Sequence, residues 1–245
     1  MTFDPFGDFE TKGYLRNVAR QKDRDIVRRM EHSAFTTALD GALASLSKRK
    51  TLTYSDVLNT HKTLFDAVYP WAGEDRLKHA PDKAITKGDG SQKVRFADPP
   101  DIQRSIDYAL RKGQDKAFMA SQPGTVMGYL AFGHPFLDGN GRTIMAVHCM
   151  LAHRAGISID WASTDKTAYL AALTRELNEP DKGHLDAYLK PFVRKALSES
   201  ALPASISGAP GLDGQGEDRV LGKTDDAKIK AEYEAEKLKR KDALG

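Results

Sequence analysis

One stretch of the sequence, GHPFLDGNGRT at residues 133–143, combines residue types that could bind a phosphate and move a proton. Pro135 disfavours a helical conformation for His134, so the preceding helix is predicted to end at about Gly133 and to leave the imidazole in a loop. With an ordinary pKa of about 6.5, a histidine is largely neutral at neutral pH and can accept a proton from an attacking hydroxyl. His134 is therefore the candidate general base.

The run Gly139, Asn140 and Gly141 is a candidate anion cradle. These residue types tolerate positive φ and leave backbone N–H groups uncovered, and they lead directly into an apolar-periodic helix. Several N–H donors and the positive end of the helix dipole then point at one place, which suits phosphate oxygens. Arg142 would stand in the first turn, where the dipole disfavours a cation unless a phosphate is bound.

Asp138 precedes the anion cradle, and its carboxylate would be repelled by a phosphate unless a divalent cation lay between them. Mg²⁺ binds in this way, through one or two carboxylates and the substrate's phosphates. Taken singly, a Gly-Asn-Gly turn is a common helix connection, and a lone histidine is more often structural. Their combination within nine consecutive residues, 134–142, indicates phosphoryl or nucleotidyl transfer.

The segments around this stretch are predicted to be mainly helical. Apolar residues recur at helical spacing over residues 22–47, and again from Thr53 or Ser55 up to Pro70, which forbids continuation. The segment AITKGDGSQKVRFADPP at 84–100 predicts a β-hairpin, because Gly-Asp-Gly separates two short apolar strands. Further helices are predicted at residues 101–112, 123–133, 140–155, 165–178 and 184–197. The predicted fold class is all-α, a helical bundle with one protruding hairpin.

The composition excludes several classes of protein. The chain has 245 residues, 40% of them hydrophobic, and 37 basic against 34 acidic side chains give a net charge of +3. It lacks the clustered basic face of a nucleic-acid binder and any run of about 20 apolar residues that would span a membrane. The acidic N-terminal sequence does not resemble a secretory signal, so a cytoplasmic location is expected. The single cysteine, Cys149, is predicted to be a buried free thiol.

The composition also divides the chain into three parts. Residues 1–197 are predicted to form the catalytic domain. Residues 198–223 are small, Pro- and Gly-rich and lack aromatic side chains, which predicts a flexible linker. Residues 224–245 are predicted to form a charged, solvated helix with Thr224 as N-cap, since its apolar side chains are mainly Ile229, Tyr233 and Leu238.

The motif HPFLDGNGR at residues 134–142 resembles the signature H-P-F-x-D/E-G-N-G-R of the Fic (filamentation induced by cAMP) proteins. The resemblance extends over about residues 10–197 and includes TKGYLRN at 11–17, WAGEDR at 71–76 and the hairpin at about 84–97. It implies a Fic-like helical bundle with a β-hairpin flap. It also implies an enzyme that transfers AMP from ATP, with Mg²⁺, to a Ser, Thr or Tyr hydroxyl of a target protein and releases pyrophosphate.

The resemblance also implies roles for residues within the motif. His134 would deprotonate the target hydroxyl, Phe136 would anchor the loop in the core, and Asp138 would hold the metal. The residues implied to bind the donor's phosphates are Gly139, Asn140, Gly141 and Arg142. The flap, around Ile85 to Phe96, is expected to clamp the target segment by adding it as a strand to an exposed edge.

Two features depart from the family pattern. The second arginine of the longer signature G-N-G-R-x-x-R, which contacts the donor's terminal phosphate, is replaced by Met145. Loss of such a contact weakens triphosphate binding by roughly 1.5 to 3 kcal/mol, so another basic residue or another donor is implied. The inhibitory motif S/T-x-x-x-E-G/N is absent, and TTALDG at 36–41 is a near match with Asp40 in place of glutamate. Any inhibition is therefore expected from a separate small antitoxin protein or not at all.

Two other functions fit the same residues. The first is Fic-like transfer of another phosphate-linked group, such as UMP, GMP or phosphocholine, and the second is a catalytically silent binding module whose flap grips a partner. The protein is expected to act as a toxin in its own cell, or as an effector delivered into another cell by a secretion system that needs no cleavable signal peptide. The other candidate histidines show no metal-site spacing and are predicted to be surface or helix histidines: His61, His79, His148, His153 and His184.

Overall fold

The computed structural model of the chain describes residues 2–12, 15–209, 212 and 218–245. Gly13 and Tyr14 of the segment TKGYLRN lie outside the described residues, as do 210, 211 and 213–217 of the expected linker. The described part is mainly helical, which confirms the predicted all-α fold class.

Up to residue 178 the predicted helix boundaries agree closely with the structure, except that the helix expected to continue up to Pro70 ends at Phe65. Helices follow one another along most of the described chain. They are α1 (Asp8–Lys12), α2 (Arg24–Ser47), α3 (Tyr54–Phe65), α4 (Arg76–His79), α5 (Ile102–Gln114), α6 (Lys116–Ser121), α7 (Pro123–Gly133), α8 (Asn140–Arg154), α9 (Lys166–Asn178), α10 (His184–Leu189), α11 (Leu202–Ser207), α12 (Ala227–Lys239) and α13 (Lys241–Leu244).

Helices α7 and α8 lie at the centre of the bundle. Every residue of α7 is buried, because its sequence PGTVMGYLAFG is apolar on all sides. Helices α5, α8, α9 and α10 pack around α7, and α2 and α3 pack against α8. Cys149, on α8, is a buried free thiol as predicted. The loop at 134–139 therefore connects the two most enclosed helices, and its ends are held by the core.

The predicted hairpin is present at its predicted place. Strand β1 (Lys83–Lys87) pairs in antiparallel fashion with β2 (Val94–Arg95), and Thr86 stands opposite Arg95. Ile85 and Phe96 point into the protein and are buried. The hairpin thus packs against the body of the bundle along one face, which leaves the outer edge of β1 as the place where another strand can pair.

A second strand pair replaces the end of the last predicted helix. The helix expected at 184–197 ends at Leu189, and β4 (Val193–Lys195) pairs with β3 (Ile157–Ile159) in antiparallel fashion. Pro191 has no N–H to donate to the carbonyl four residues earlier, so the helical ladder cannot continue through it. The β-branched Val193 then favours the strand.

The expected flexible linker and solvated helix differ from the structure where it is described. Residues 202–207 form α11, whose Leu202 and Ile206 are buried. Strand β5 (Asp218–Lys223) pairs with the outer edge of β1 to give a sheet of order β2-β1-β5. Composition alone missed this strand because its stability comes from the unpaired backbone groups of β1 rather than from apolar side chains of its own.

Helix α12 packs on the bundle instead of lying in solvent. Its N-cap is Asp226, whose side chain accepts from the backbone N–H groups of Lys228 and Ile229, and not the expected Thr224. The Tyr233 side chain is buried and its hydroxyl donates to Asp101 Oδ2 at 3.1 Å. After the helix, the buried Arg240 guanidinium stacks 3.7 Å from the Phe132 ring of α7. One tyrosine and one arginine therefore anchor the tail.

Replacing Tyr233 should separate a packed tail from a solvated one. We expect Tyr233→Ala to lower the free energy of unfolding by about 3 kcal/mol, because a buried ring and its hydrogen bond are lost. The matched control is Leu238→Ala on the same helix, where the side chain is 76% exposed, so a change within about 0.5 kcal/mol is expected. Urea denaturation measures both. Equal stability of the two variants would contradict the packing of α12.

Candidate active site

The loop between α7 and α8 has the backbone conformation that its sequence predicts. Helix α7 ends at Gly133, and His134 lies in the left-handed region with φ +40° and ψ +59°. Gly139 is the N-cap of α8 with φ +77°. A Cβ at Gly139 would stand 2.6 Å from Cε2 of Phe65. Gly141 already belongs to α8, and a Cβ there meets no atom within 4 Å. The first glycine therefore shapes the turn, and the second leaves open space beside the helix N-terminus.

Asn140 holds the loop together through its side chain. Its Oδ1 accepts from the backbone N–H of Phe136 at 2.8 Å, and its Nδ2 donates to the carbonyl of Phe136 at 2.8 Å. The Phe136 ring is fully buried, as expected for an anchor. Asn140 was expected to bind phosphates, but its side-chain amide is used within the loop. Its backbone N–H, in the first turn of α8, has no intrahelical acceptor.

Arg76 ties the loop to the hairpin. Its guanidinium is fully buried, with Nε donating to the carbonyl of His134 at 2.7 Å and Nη2 to the carbonyl of Ala97 at 2.8 Å. Its backbone N–H donates to the carbonyl of Pro135 at 2.7 Å. In the sequence, Arg76 stands out only as the last residue of WAGEDR. The structure shows it as a positioning residue that fixes the backbone of the candidate base.

His61 is a second positioning residue, and the expectation of an ordinary surface or helix histidine missed it. It lies on α3 but is fully buried, stacked on the Phe136 ring with centroids 3.8 Å apart. Its Nε2–H donates to the carbonyl of Asp138 at 3.0 Å, and its Nδ1 accepts from Gly73 N–H at 2.9 Å. Burial lowers its pKa to about 3, so the ring is neutral. Its place four residues after Val57, on the apolar face of the helix, was the available signal.

His134 lies between the hairpin and the tail. Its ring stacks on that of Phe96 with centroids 3.7 Å apart, and its Nε2 lies 2.5 Å from Oδ2 of Asp218 on β5. Burial lowers the pKa of His134, against the opposing effect of Asp218. Asp218 is also buried, but the pKa of its carboxyl is lowered by His134, Lys87 and Arg76. We therefore assign a neutral His134 ring, whose Nε2–H donates to the ionised carboxylate of Asp218.

Arg142 and an unexpected carboxyl group lie beside the loop. The buried Arg142 has Nη2 3.4 Å from Oε2 of Glu31 on α2 and 3.7 Å from Oδ1 of Asp138. Glu31 is itself buried and accepts a hydrogen bond from the hydroxyl of Tyr69. Burial, together with Asp138, raises the pKa of Glu31. Asp40, the near match to the inhibitory motif, is exposed. Glu31 could have been found as the charged residue in the buried stripe of α2.

All six predicted site residues line one cavity of about 140 Å³, and Met145 lies in the core away from it. The six are His134, Asp138, Gly139, Asn140, Gly141 and Arg142. The side chain of Asp138 remains 45% exposed, so its carboxylate is open to a cation. Among the described residues no group of three His, Cys, Asp or Glu side chains forms a metal site. Asp138 alone therefore fits the mode in which Mg²⁺ takes most ligands from phosphates and water.

The Fic/DOC family model matches residues 51–152, from just before α3 to the last turn of α8. This range holds both central helices, the hairpin and the whole loop. The chain carries a Fic/DOC domain. No helix among its described residues is long and apolar enough to cross a membrane.

Two curated relatives are similar to the chain over much of its length. Protein adenylyltransferase VbhT of Bartonella schoenbuchensis is 30% identical over 222 residues, which are 91% of this chain and 44% of VbhT. The probable protein adenylyltransferase y4lH of Sinorhizobium fredii is 26% identical over 174 residues, which are 67% of this chain and 83% of y4lH. The chain thus spans less than half the length of VbhT.

Solved Fic structures show the same fold. BepC of Bartonella tribocorum, solved with bound AMPPNP, superimposes with a TM-score of 0.62 at 16% identity, over 80% of this chain and 99% of that one. A Fic domain of Bartonella quintana, solved with bound ADP, gives 0.62 at 18% identity, over 81% and 99%. The helical bundle and its hairpin are therefore the Fic architecture.

The two glycines that flank Asn140 should respond to the same substitution in opposite ways. Gly139→Ala should lower the free energy of unfolding by at least about 1 kcal/mol, because an L-residue is strained at this φ and its Cβ would strike Phe65. Gly141→Ala should leave it unchanged or raise it by up to about 1 kcal/mol, because alanine favours a helix and the space is open. Thermal and urea unfolding measure both. A stable Gly139→Ala variant would contradict the loop conformation.

Proposed function

We propose that the Fic/DOC domain is a protein adenylyltransferase that moves AMP from ATP to a Ser, Thr or Tyr hydroxyl of a target protein. The observation that carries this proposal is the convergence of a neutral buried imidazole, an open carboxylate and an uncovered helix N-terminus on one cavity. The names of VbhT and y4lH support the same activity, and the AMPPNP bound to BepC supports a nucleotide donor.

His134 is proposed as the base for this transfer. With the neutral ring carrying its proton on Nδ1, the target hydroxyl gives its proton to Nε2 as its oxygen bonds to the α-phosphorus of ATP, and the bond to the bridging oxygen breaks to release pyrophosphate. Burial keeps the ring neutral at neutral pH, the state that can accept a proton. Arg76 fixes the backbone at His134, His61 fixes the loop at Asp138, and Phe96 fixes the plane of the imidazole ring. The base is therefore held in place before substrates bind.

The start of α8 is proposed to hold the donor's phosphates. The backbone N–H groups of Asn140, Gly141 and Arg142 stand in the first turn, where they lack intrahelical acceptors. A side chain at position 141 would fill the space that phosphate oxygens need. Asp138 is proposed to hold Mg²⁺, which when bound offsets the charge of the phosphates and the leaving pyrophosphate.

Helix α2 is proposed to supply the charge that Met145 lacks. Met145 is buried in the core, so no side chain there reaches the cavity. Arg24 and Arg28 line the same cavity from α2, and Arg28 is held 3.6 Å from Asp25 one turn away. Because both arginines line the cavity together with Asp138 and the start of α8, a guanidinium here can contact the terminal phosphates of a bound donor.

Mass spectrometry of reaction products tests the proposed transfer. Purified protein and cell lysate are incubated with Mg²⁺ and, separately, ATP, GTP, UTP, CTP and CDP-choline. We expect AMP on hydroxyl side chains with ATP, abolished by His134→Ala and retained by His184→Ala, whose side chain is partly exposed and does not line the cavity. If a donor other than ATP labels the hydroxyls, the group that it transfers replaces AMP in the proposed reaction. If no label depends on His134 and Mg·ATP does not raise Tm, the protein is assigned as a catalytically silent binding module instead of a transferase.

Removal of one arginine from α2 tests its role in donor binding. Arg28→Ala should raise the Kd for Mg·ATP by about 10-fold or more, because a charge-assisted contact with phosphate is lost. Arg29→Ala is the matched control, as its side chain is exposed and does not line the cavity. Isothermal titration calorimetry gives both constants. Equal Kd values for the two variants would exclude Arg28 as the phosphate contact.

A further inference from the structure

Strand β5 occupies the edge of the flap on which a target segment was expected. It runs antiparallel along the whole of β1, from Lys83 opposite Lys223 to Lys87 opposite Asp218. The other side of β5 is also engaged, because the N–H of Phe3 donates to the carbonyl of Asp218 at 2.9 Å. Both backbone edges of the strand are therefore paired near Asp218, and the edge of β1 is closed to another segment.

The side chain of Asp218 lies where the oxygen atom that receives AMP must lie. Its Oδ2 is 2.5 Å from Nε2 of His134, within the distance at which a base takes a proton from a hydroxyl. Its other oxygen, Oδ1, is buried and has no hydrogen-bond partner among the described residues, with Lys87 Nζ 3.8 Å away. Asp218 also lines the cavity that holds Asp138 and Arg142. The carboxylate thus takes the place of a reacting group.

A carboxylate at this position restrains the chemistry. It carries no proton for His134 to remove, and it holds the Nε2 proton that must be absent for the ring to act as a base. Its charge also opposes the approach of the phosphates of the donor. A target hydroxyl can reach Nε2 only after Asp218 has left, since both would occupy the same space.

We infer that β5 is an internal pseudo-acceptor, which fills the acceptor site of the proposed transferase with Asp218 in the place of the modified residue. The inference rests on the proposed function. It assigns the partner of this surface as an extended segment that pairs antiparallel with β1 and carries its hydroxyl residue opposite Lys87. Inhibition then comes from a strand of the same chain, whereas the sequence predicted a separate antitoxin protein or no inhibition at all.

Release of the strand should activate the enzyme. With Mg²⁺ and labelled ATP in cell lysate, Asp218→Ala should raise His134-dependent labelling about 10-fold over the unchanged chain, because the base is freed. Asp225→Ala is the matched control, an exposed acidic residue outside the cavity, and should leave labelling unchanged. Val220→Pro keeps Asp218 but breaks the pairing with Ile85, and it should also activate. Unfolding curves confirm that each variant folds.

A hydroxyl at the same position tests the register without an external target. In Asp218→Ser, the Oγ–H proton passes to Nε2 of His134, Oγ bonds to the α-phosphorus of ATP, and the bond to the bridging oxygen breaks to release pyrophosphate. We expect AMP on residue 218 by peptide mass spectrometry, at a rate independent of protein concentration. The double variant Asp218→Ser with His134→Ala should carry none.

The outcomes separate the two proposals. Activation by Asp218→Ala and Val220→Pro, with AMP on residue 218 of Asp218→Ser, supports both. His134-dependent labelling of other proteins that is not increased by either strand variant, with residue 218 unmodified, overturns the pseudo-acceptor and leaves the transferase. If no variant, including Asp218→Ala, transfers AMP in a His134-dependent way, the proposed function fails and the pseudo-acceptor fails with it.

Discussion

The site depends on one buried cation, the guanidinium of Arg76. Burial lowers its pKa to about 10, and its hydrogen bonds go to backbone carbonyls, at His134 and at Ala97. Nη1 has no hydrogen-bond partner among the described residues, so the buried charge is stabilised by the bonds at Nε and Nη2. Because these bonds join the loop to the end of the hairpin, the two cannot move apart without a large loss of free energy. Because Phe96 of that hairpin stacks on the imidazole, one interaction fixes both the backbone and the ring of His134. The rest of the site is arranged around this fixed point.

Groups of both charges surround the fixed loop. The N-terminus of α8, Arg142 and the arginines of α2 make the cavity suited to an anion, while Glu31 and Asp138 hold Arg142 in the absence of one. A buried carboxyl beside an arginine keeps the side chain oriented, and a phosphate with its metal would take over that role on binding. Helix α2 carries the near match to the inhibitory motif, but the side chains that it places at the cavity include Glu31 and Arg28, and Asp40 is exposed.

The sequence predicted the local parts of this arrangement well, since they depend on neighbours in the chain. The end of α7 before His134-Pro135, the turn at Gly139 and the hairpin each follow from residue types within a few positions. His61, Arg76 and Glu31 were missed because their partners lie 77, 58 and 111 residues away, and a distant carbonyl or arginine leaves no local pattern. Strand β5 was missed for a related reason. Its weakly apolar sequence is stabilised by an edge that only the folded hairpin provides.

The unequal pairing of β1 has a consequence for affinity. β5 pairs along its whole length, whereas β2 pairs only with Thr86 and Lys87. A segment that replaced β5 would therefore exchange one ladder of backbone hydrogen bonds for another, with little net change in their number. The free energy of such an exchange is therefore determined by the side chains and by the entropy of the displaced tail. Because the tail remains covalently attached, it competes with the segment at high effective concentration. Weak binding in solution would then accompany high selectivity among segments.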